Sequence, residues 1–141
     1  MKTIEVAAAV IHDEGKILAT QRGYGDFKGG WEFPGGKIQP GESAEEAIVR
    51  EIQEELQVCI RPEKLLTTIE YDYETFHLTM HCFLASIIKG EIQLLEHEAM
   101  RWLTSDQLES VDWLPADIAV VAQLKRILNQ TSIDLSTPQI R

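Results

Sequence analysis

The stretch from Trp31 to Val58 constrains the fold most, because it places a glycine-rich turn directly before a helix. Ser43 followed three residues later by Glu46 is a capping box, which predicts a helix that begins at Ala44 and ends near Leu56. Apolar residues at i+4 steps then form one stripe that packs on a core, consisting of Ala44, Ile48, Ile52 and Leu56.

Three carboxylates occupy the helix face beside that stripe. Glu51, Glu54 and Glu55 fall at about 0°, 300° and 40° around the axis. Such like charges destabilise a helix by about 0.2 to 0.5 kcal/mol per pair, although Arg50 can reach Glu46 and Glu54. An acidic helix face is usually only solvated. Here a Pro-Gly-Gly loop precedes it, whose backbone can approach an anion or lend a carbonyl to a metal. Clustered oxygen ligands suit Mg²⁺ or Mn²⁺, which join carboxylates to phosphates.

The remaining chain is mostly strand patterns separated by turns. They cover residues 3–11, 17–22, 31–33, 64–73, 76–88 and 99–103. The two longest are separated by a turn at residues 74–75 and predict an antiparallel hairpin. Residues 23–30 predict a mobile loop, and residues 104–106 a brief helical turn. A last helix over 115–129 has one apolar side, formed by Ile118, Val121, Leu124, Ile127 and Leu128. This layout is typical of an α+β protein.

Length and charge limit the class of protein. The 141 residues predict a single domain over 1–130, followed by a polar tail over 131–141 that frays. A net charge of −10 argues against nucleic acid polymers and anionic membranes as partners, but not against a nucleotide whose charge a metal offsets. Cys59 and Cys82 lie in apolar runs and are expected to be buried free thiols. The N-terminal apolar run is too short for a signal or a membrane span, so a cytoplasmic location is expected.

The motif spacing resembles the Nudix box, G-x5-E-x7-R-E-U-x-E-E-x-G-U, in which U is a bulky apolar residue. Six of its seven fixed residues are present, namely Gly36, Glu42, Arg50, Glu51, Glu54 and Glu55. The exception is Gln57, which stands where the family has a glycine in the left-handed conformation. A glutamine in that conformation costs on the order of 1 kcal/mol and removes no ligand.

The resemblance implies an α/β/α sandwich around a mixed sheet, with the catalytic helix after a glycine-rich loop. It implies divalent metal held by Glu51, Glu54 and Glu55, with the Gly35 carbonyl as a further ligand. Arg50 would orient these carboxylates, and Glu42 would contact metal or water. The match reaches from Ile4 to about Leu128 and is closest to MutT-like nucleoside triphosphate pyrophosphohydrolases, which release a monophosphate and pyrophosphate.

Residues outside the box complete the implied site. Glu96 resembles a family carboxylate that acts as base or metal ligand, with Glu98 as its near competitor and a solvated loop charge as the alternative. Arg22 resembles a phosphate-contacting position. Phe33 either stacks on a base or belongs to the core. Glu32 and Lys37 flank the glycine loop, where they form structural ion pairs or, for Lys37, contact substrate.

Asp117 bears on base specificity. It lies where MutT-like enzymes for oxidised guanine place an asparagine, although an Asp after a proline is also an ordinary first-turn helix residue. An ionised Asp only accepts hydrogen bonds, so it suits the amine of cytosine or adenine. Together with the ATQR, EHxAxxW and PAD-I segments, this resembles the CTP pyrophosphohydrolase branch, which also accepts modified deoxycytidine triphosphates.

Other functions remain open. The alternatives within the enzyme class are an 8-oxo-dGTP diphosphatase and a hydrolase of dinucleoside polyphosphates or nucleotide sugars. A non-catalytic Nudix module that senses a nucleotide is disfavoured, because such modules lose box carboxylates and this chain keeps them. Either a monomer or a homodimer is compatible with the sequence.

Overall fold

The computed structural model describes residues 1–129, which form a mixed sheet between two helices. The elements follow in the order β1 (Lys2–Asp13), β2 (Lys16–Arg22), β3 (Trp31–Glu32), β4 (Gly35–Lys37), α1 (Ala44–Leu56), β5 (Cys59–Asp72), β6 (Phe76–Lys89), β7 (His97–Leu103), a 3-10 turn (Ser105–Gln107) and α2 (Pro115–Asn129). The predicted α+β class and the hairpin of β5 and β6 are confirmed.

Strand β1 organises the sheet, whose order is β3-β2-β1-β6-β5. It runs parallel to β6 from Lys2 opposite Phe76 to Ile11 opposite Ala85. The other pairings are antiparallel, and they include β4 on β1 and β7 on β2. Because β1 pairs with both β4 and β6, it brings the segment before α1 to the middle of the sheet.

The two helices cover opposite faces of the sheet. On α1, Ile48, Ile52 and Leu56 are fully buried against apolar residues of β1, β5 and β6. On the other face, Val120 and Leu124 of α2 pack on a second apolar cluster. The predicted α/β/α sandwich is therefore confirmed. No helix within residues 1–129 combines the length and the apolarity needed to cross a bilayer.

Four expectations about local structure were wrong. The glycine loop continues as strand β4, in which Gly35 pairs with Ala8 and lies so close to the backbone of β1 that a side chain would collide with the Ala7 carbonyl. On α2, Ile118 is 57% exposed, because the buried stripe follows the i+4 steps Ala116, Val120 and Leu124. Strand β5 begins at Cys59, five residues earlier than expected. Cys59 is only partly buried, whereas Cys82 is buried as expected.

The glutamine that replaces the box glycine adopts the glycine's conformation. Gln57 ends α1 with φ 62° and ψ 29°, which is left-handed, and its backbone N–H donates to the Gln53 carbonyl. Its side-chain amide also donates to that carbonyl over 3.2 Å. The capping geometry is therefore kept at the steric cost that a side chain has in this region.

Candidate active site

Arg50 is the centre of the charged face of α1. Its guanidinium donates from Nε and Nη2 to both carboxylate oxygens of Glu42, over 2.7 and 3.0 Å. Nη1 donates to Glu51 over 2.9 Å and to Glu54 over 3.1 Å, and Nη2 also reaches the Lys37 carbonyl. The hydrogen bonds from Arg50 lower the pKa of Glu42 to about 2. One arginine therefore fixes three box carboxylates relative to β4.

The expected partners of Arg50 were partly wrong. Glu46 does not contact Arg50; its side chain instead accepts from the backbone N–H of Ser43, as the capping box requires. Sequence spacing could not decide whether Glu46 pairs with Ser43 or with Arg50, because both residues lie within reach of its side chain. The main partner of Arg50 is Glu42, which lies before the helix and is brought close by the turn at its start.

Glu55 lies deeper than the other box carboxylates. Its Oε1 is buried and has no hydrogen-bond partner among the described residues. Burial, then the neighbouring carboxylates of Glu51 and Glu96, raise the pKa of Glu55 to about 9, and the backbone of Gly35 acts in the opposite direction. A partnerless buried oxygen surrounded by negative charge is the kind of position that a cation stabilises.

The donor set fits a divalent cation, although it is not assembled around one. Oxygen ligands from carboxylates and a backbone carbonyl are those that Mg²⁺ and Mn²⁺ prefer. Within residues 1–129, no three acidic, histidine or cysteine side chains converge on a common point. The reason is that Arg50 holds Glu51 and Glu54. Gly36 lies against the Glu51 carboxyl, where any side chain would collide with it.

An apolar cavity of about 270 Å³ opens beside this charged face. Its walls come from β1, β6 and the start of α2, and Phe33 and Asp117 are among its lining residues. Phe33 is only 3% exposed and stacks on Trp113, with ring centroids 4.5 Å apart. One face of the Phe33 ring is therefore taken by the core, whereas the side chain still lines the cavity.

Asp117 is a buried carboxyl group in an apolar wall. It is 5% exposed, and its Oδ1 accepts a hydrogen bond of 2.9 Å from the backbone N–H of Phe33. Burial raises the pKa of Asp117 to about 8, against the effect of that hydrogen bond. The raised pKa favours the protonated carboxyl group at neutral pH, whereas the sequence led us to consider the ionised form. The sequence could not show this, because Asp117 also resembles an ordinary helix-capping residue.

The buried carboxyl group predicts a pH-dependent stability. In the unfolded chain Asp117 ionises near its ordinary pKa of 3.8, whereas in the folded protein it holds its proton to about pH 8. The folded state then binds more protons, so the contribution of Asp117 to stability is lost as pH rises from about 4 to about 8. We expect Asp117→Asn, measured by urea unfolding, to gain stability relative to wild type between pH 5 and pH 8. An Asp106→Asn control should show no such trend. If the free energy of unfolding falls equally in wild type and Asp117→Asn between pH 5 and pH 8, the raised pKa of Asp117 is contradicted.

A second cavity lies beside Glu55 and shares lining residues with the first. Both cavities are lined by Arg22, Glu32, Gly35, Gly36 and Lys37. The second cavity adds Glu55 and Glu96, so these residues lie at one opening. Glu98 instead pairs with Lys28 over 3.7 Å, which favours Glu96 as the carboxylate of this site. Arg50, Glu51 and Glu54 line neither cavity and form the adjoining face of α1.

Arg22 is held by an ion pair at the junction of the two cavities. Its guanidinium donates to both oxygens of Glu32, over 2.6 and 3.3 Å, and to the Asp26 carbonyl. Burial opposes ionisation of Glu32, but hydrogen bonds from His97 and Arg22 outweigh it and lower the Glu32 pKa. Glu32 is thus in a structural ion pair, as one reading of the sequence expected.

Two residues at this opening were missed from the sequence. His97 is nearly buried 3.5 Å from Glu32, and its Nδ1 has no hydrogen-bond partner in the described part of the chain. Tyr24 donates its hydroxyl to Oε1 of Glu96, which raises the Tyr24 pKa. Residues 23–30 carried only turn signals, so nothing in the sequence separated Tyr24 from its neighbours.

The fold and the site now define a class of protein. A family model described as the NUDIX domain matches residues 1–124. The chain is 35% identical over 122 residues to the CTP pyrophosphohydrolase of Escherichia coli K12, covering 86% of this chain and 90% of that protein. It is 33% identical over 129 residues to the 8-oxo-dGTP diphosphatase of the same strain, covering 90% of this chain and 100% of that protein.

A solved structure agrees with these sequence matches. The solution structure of the Escherichia coli ORF135 protein superposes with a TM-score of 0.82 at 31% identity, covering 95% of this chain and 96% of that one. The chain belongs to the Nudix hydrolase family, and it is a nucleotide pyrophosphohydrolase. Members of this family act on small nucleotide substrates and generally use divalent metal ions.

Proposed function

We propose that this protein is an Mg²⁺-dependent nucleoside triphosphate pyrophosphohydrolase that prefers CTP, dCTP or modified cytosine nucleotides. The observation that carries the proposal is the junction of two cavities. One is mostly apolar and is lined by the buried Asp117, and the other is lined by Glu55 and Glu96 beside the charged face of α1. A nucleotide has the same division, with an apolar base at one end and phosphates that need cations at the other.

The chain's own residues divide the work in this proposal. The divalent ion, Mg²⁺ or Mn²⁺ in its place, would be held by the carboxylates of Glu51, Glu54, Glu55 and Glu96 and by the Gly35 carbonyl. When bound, the ion offsets phosphate charge and holds the reacting chain in line. Arg22 and Lys37, which line both cavities, contact the phosphates between base and metal. The bare backbone of Gly36 leaves room for the Glu51 carboxyl group beside these two residues.

The proposed reaction is hydrolysis inside the triphosphate. Water attacks one phosphorus, a P–O–P bond breaks, and the products are a nucleoside monophosphate and pyrophosphate. Arg50 keeps the carboxylates of Glu51 and Glu54 in place before the reaction, so that less ordering remains to be done when substrate binds. Glu96, at the shared opening, is the candidate for receiving the proton of the attacking water.

Asp117 supports the preference for cytosine. A protonated carboxyl group has one donor and an acceptor side by side. Its hydroxyl can donate to N3 of cytosine while the other oxygen accepts from the N4 amine, which is a more complete match than the ionised form offers. Phe33 lines the same cavity, and one face of its ring stacks on Trp113. The 35% identity to a protein named CTP pyrophosphohydrolase agrees with this preference.

The second candidate is hydrolysis of 8-oxo-dGTP. It is favoured by the 33% identity to a protein named 8-oxo-dGTP diphosphatase, of which the chain covers the whole length. A protonated Asp117 also fits an edge in which a ring N–H lies beside a carbonyl, as in oxidised guanine. In either case the substrate class implies a role in nucleotide-pool sanitation, and a cytoplasmic location remains a prediction.

The test is a panel of nucleotides with Mg²⁺, with kcat/KM measured from pyrophosphate release. The panel contains CTP, dCTP, 5-methyl-dCTP, 5-hydroxy-dCTP, dGTP, 8-oxo-dGTP and ATP, and ADP-ribose and a diadenosine polyphosphate are followed by their own products. The proposal predicts the highest kcat/KM for a cytosine nucleotide and loss of that preference in Asp117→Ala. If kcat/KM is highest for 8-oxo-dGTP, the cytosine preference is wrong and hydrolysis of 8-oxo-dGTP takes its place. Nucleotide binding with no turnover on any substrate would identify a sensing module.

A further inference from the structure

The loop of residues 23–30 contacts both cavities. Tyr24 is 60% exposed on this loop, and its hydroxyl donates to Oε1 of Glu96 on the metal side. Phe27 lies on the base side, with its ring 5.5 Å from that of Tyr73. The loop is therefore placed to connect nucleotide binding with the carboxylates. Its contact with Glu96 is made by Tyr24.

We propose that Tyr24 is a positioning residue for Glu96, which its hydroxyl holds in the orientation that a divalent cation requires. The proposal rests on the proposed function, because it assumes that Glu96 belongs to the cation site. It assigns a role to a loop residue that lies outside the motif of the family.

The backbone brings Tyr24 and Glu96 together independently of their side chains. Gly23 packs so closely on the segment before β7 that a Cβ atom would lie 2.8 Å from the Glu96 carbonyl. The loop is also closed on itself, since the Gly29 N–H donates to the Arg22 carbonyl over 2.9 Å and the Arg22 side chain reaches the Asp26 carbonyl. The Tyr24 hydroxyl is thus presented to Glu96 by an anchored loop.

Glu96 needs such a partner because its own surroundings do not fix it. Among the described residues, Tyr24 is the one that hydrogen-bonds the Glu96 carboxylate. That carboxylate lines the same cavity as the carboxyl group of Glu55, whose buried Oε1 has no hydrogen-bond partner among the described residues. Long acidic side chains also lose rotamer freedom when they bind a metal. A hydroxyl that occupies one oxygen reduces this cost and leaves the other oxygen available.

The contact contributes little to the fold, which separates the proposed role from a structural one. Tyr24 is exposed, and a single exposed hydrogen bond adds little to stability. Tyr24→Phe removes one oxygen atom and keeps the ring. Lys28→Met is the matched control, because it removes the loop's other side-chain contact with this segment, the 3.7 Å pair with Glu98.

The experiment measures Mn²⁺ binding to the nucleotide-free protein by electron paramagnetic resonance of the free ion. Hydrogen-bond partners of metal ligands typically contribute about 10- to 100-fold in affinity, and an exposed one is expected at the lower limit. We expect Tyr24→Phe to raise the Mn²⁺ dissociation constant about 10-fold and Lys28→Met to leave it unchanged. In a Glu96→Gln background, Tyr24→Phe should add no further loss. The Mg²⁺ concentration for half-maximal activity should rise in parallel, with the melting temperature unchanged.

The outcomes separate this inference from the proposed function. If wild type and Tyr24→Phe bind Mn²⁺ with the same dissociation constant, the positioning role is overturned and the metal-dependent function still stands. An equal loss from Tyr24→Phe in the wild-type and Glu96→Gln backgrounds also overturns it, because Tyr24 would then act by another route. Absence of Mn²⁺ binding to wild type overturns the metal-dependent function and the inference with it.

Discussion

Glu54→Gln is expected to lower pyrophosphate release from CTP by at least about 1,000-fold, because a divalent ion contributes several kcal/mol to the transition state and each 1.36 kcal/mol is a factor of ten. Glutamine keeps the size of the side chain and one oxygen but removes the charge. The side chain is 58% exposed, and its described partner is Arg50 at 3.1 Å. Such surface pairs contribute about 0 to 1 kcal/mol, so the fold should remain intact.

The measurement is steady-state kcat with saturating CTP and Mg²⁺, together with a melting curve for each protein. Glu45→Gln is the matched control, since it makes the same change on the same helix, at an exposed position in the first turn. We expect wild-type activity from the control. Activity of Glu54→Gln within tenfold of wild type would remove Glu54 from the cation site. A large fall in its melting temperature would instead show that the carboxylate is structural.

Arg50→Gln is expected to reduce both activity and stability. Activity should fall about 10- to 100-fold, the usual effect of removing a residue that holds metal ligands in place. Stability should fall by more than the about 0.5 kcal/mol typical of surface substitutions, because Oε2 of Glu42 and one oxygen each of Glu51 and Glu54 lose the Arg50 donor. Oε1 of Glu42 loses one of its two donors and keeps the backbone N–H of Gln39. Arg101→Gln, at an exposed position on β7, is the control and should behave as wild type.

The pH dependence of Arg50→Gln identifies the cause of the lost stability. Arg50 lowers the Glu42 pKa from 4.5 to about 2, so the stability from this pair is present above about pH 4.5 and is lost as pH falls toward 2. The difference in unfolding free energy between wild type and Arg50→Gln should therefore shrink over that range. A difference that stays constant down to pH 2 would mean that Arg50 stabilises the fold by packing alone.

The sequence predicted those parts of the molecule that local chemistry determines. Ser43 and Glu46 form the capping box that starts α1, and Ile48, Ile52 and Leu56 form its buried stripe. Helix α2 was predicted with its observed bounds, and its buried face was predicted in part: Val121 and Leu124 are buried, whereas Ile118 is exposed. Ile118 matches the apolar period, but the sheet meets α2 along a stripe from Ala116 to Leu124, and periodicity alone could not place that stripe.

The site depends on long-range pairing, which local patterns do not encode. Glycine signals predicted a loop where Gly35 and Gly36 form a strand on β1, because the close approach that glycine permits is visible only once β1 is in place. The protonation of Asp117 depends on the apolar wall contributed by other elements. Tyr24 and Glu96 are 72 positions apart in sequence, and the pairing of β2 with β7, which sets Arg22 opposite His97, brings them together.

The most direct test of the central claim is the identity of the products formed from CTP with Mg²⁺, followed by phosphorus nuclear magnetic resonance. Our account predicts CMP and pyrophosphate in equal amounts, with neither appearing when Glu54→Gln replaces wild type. Formation of CDP and orthophosphate would contradict the proposed position of bond cleavage. A spectrum in which CTP stays unchanged at a protein concentration that binds it would contradict hydrolysis of this nucleotide altogether.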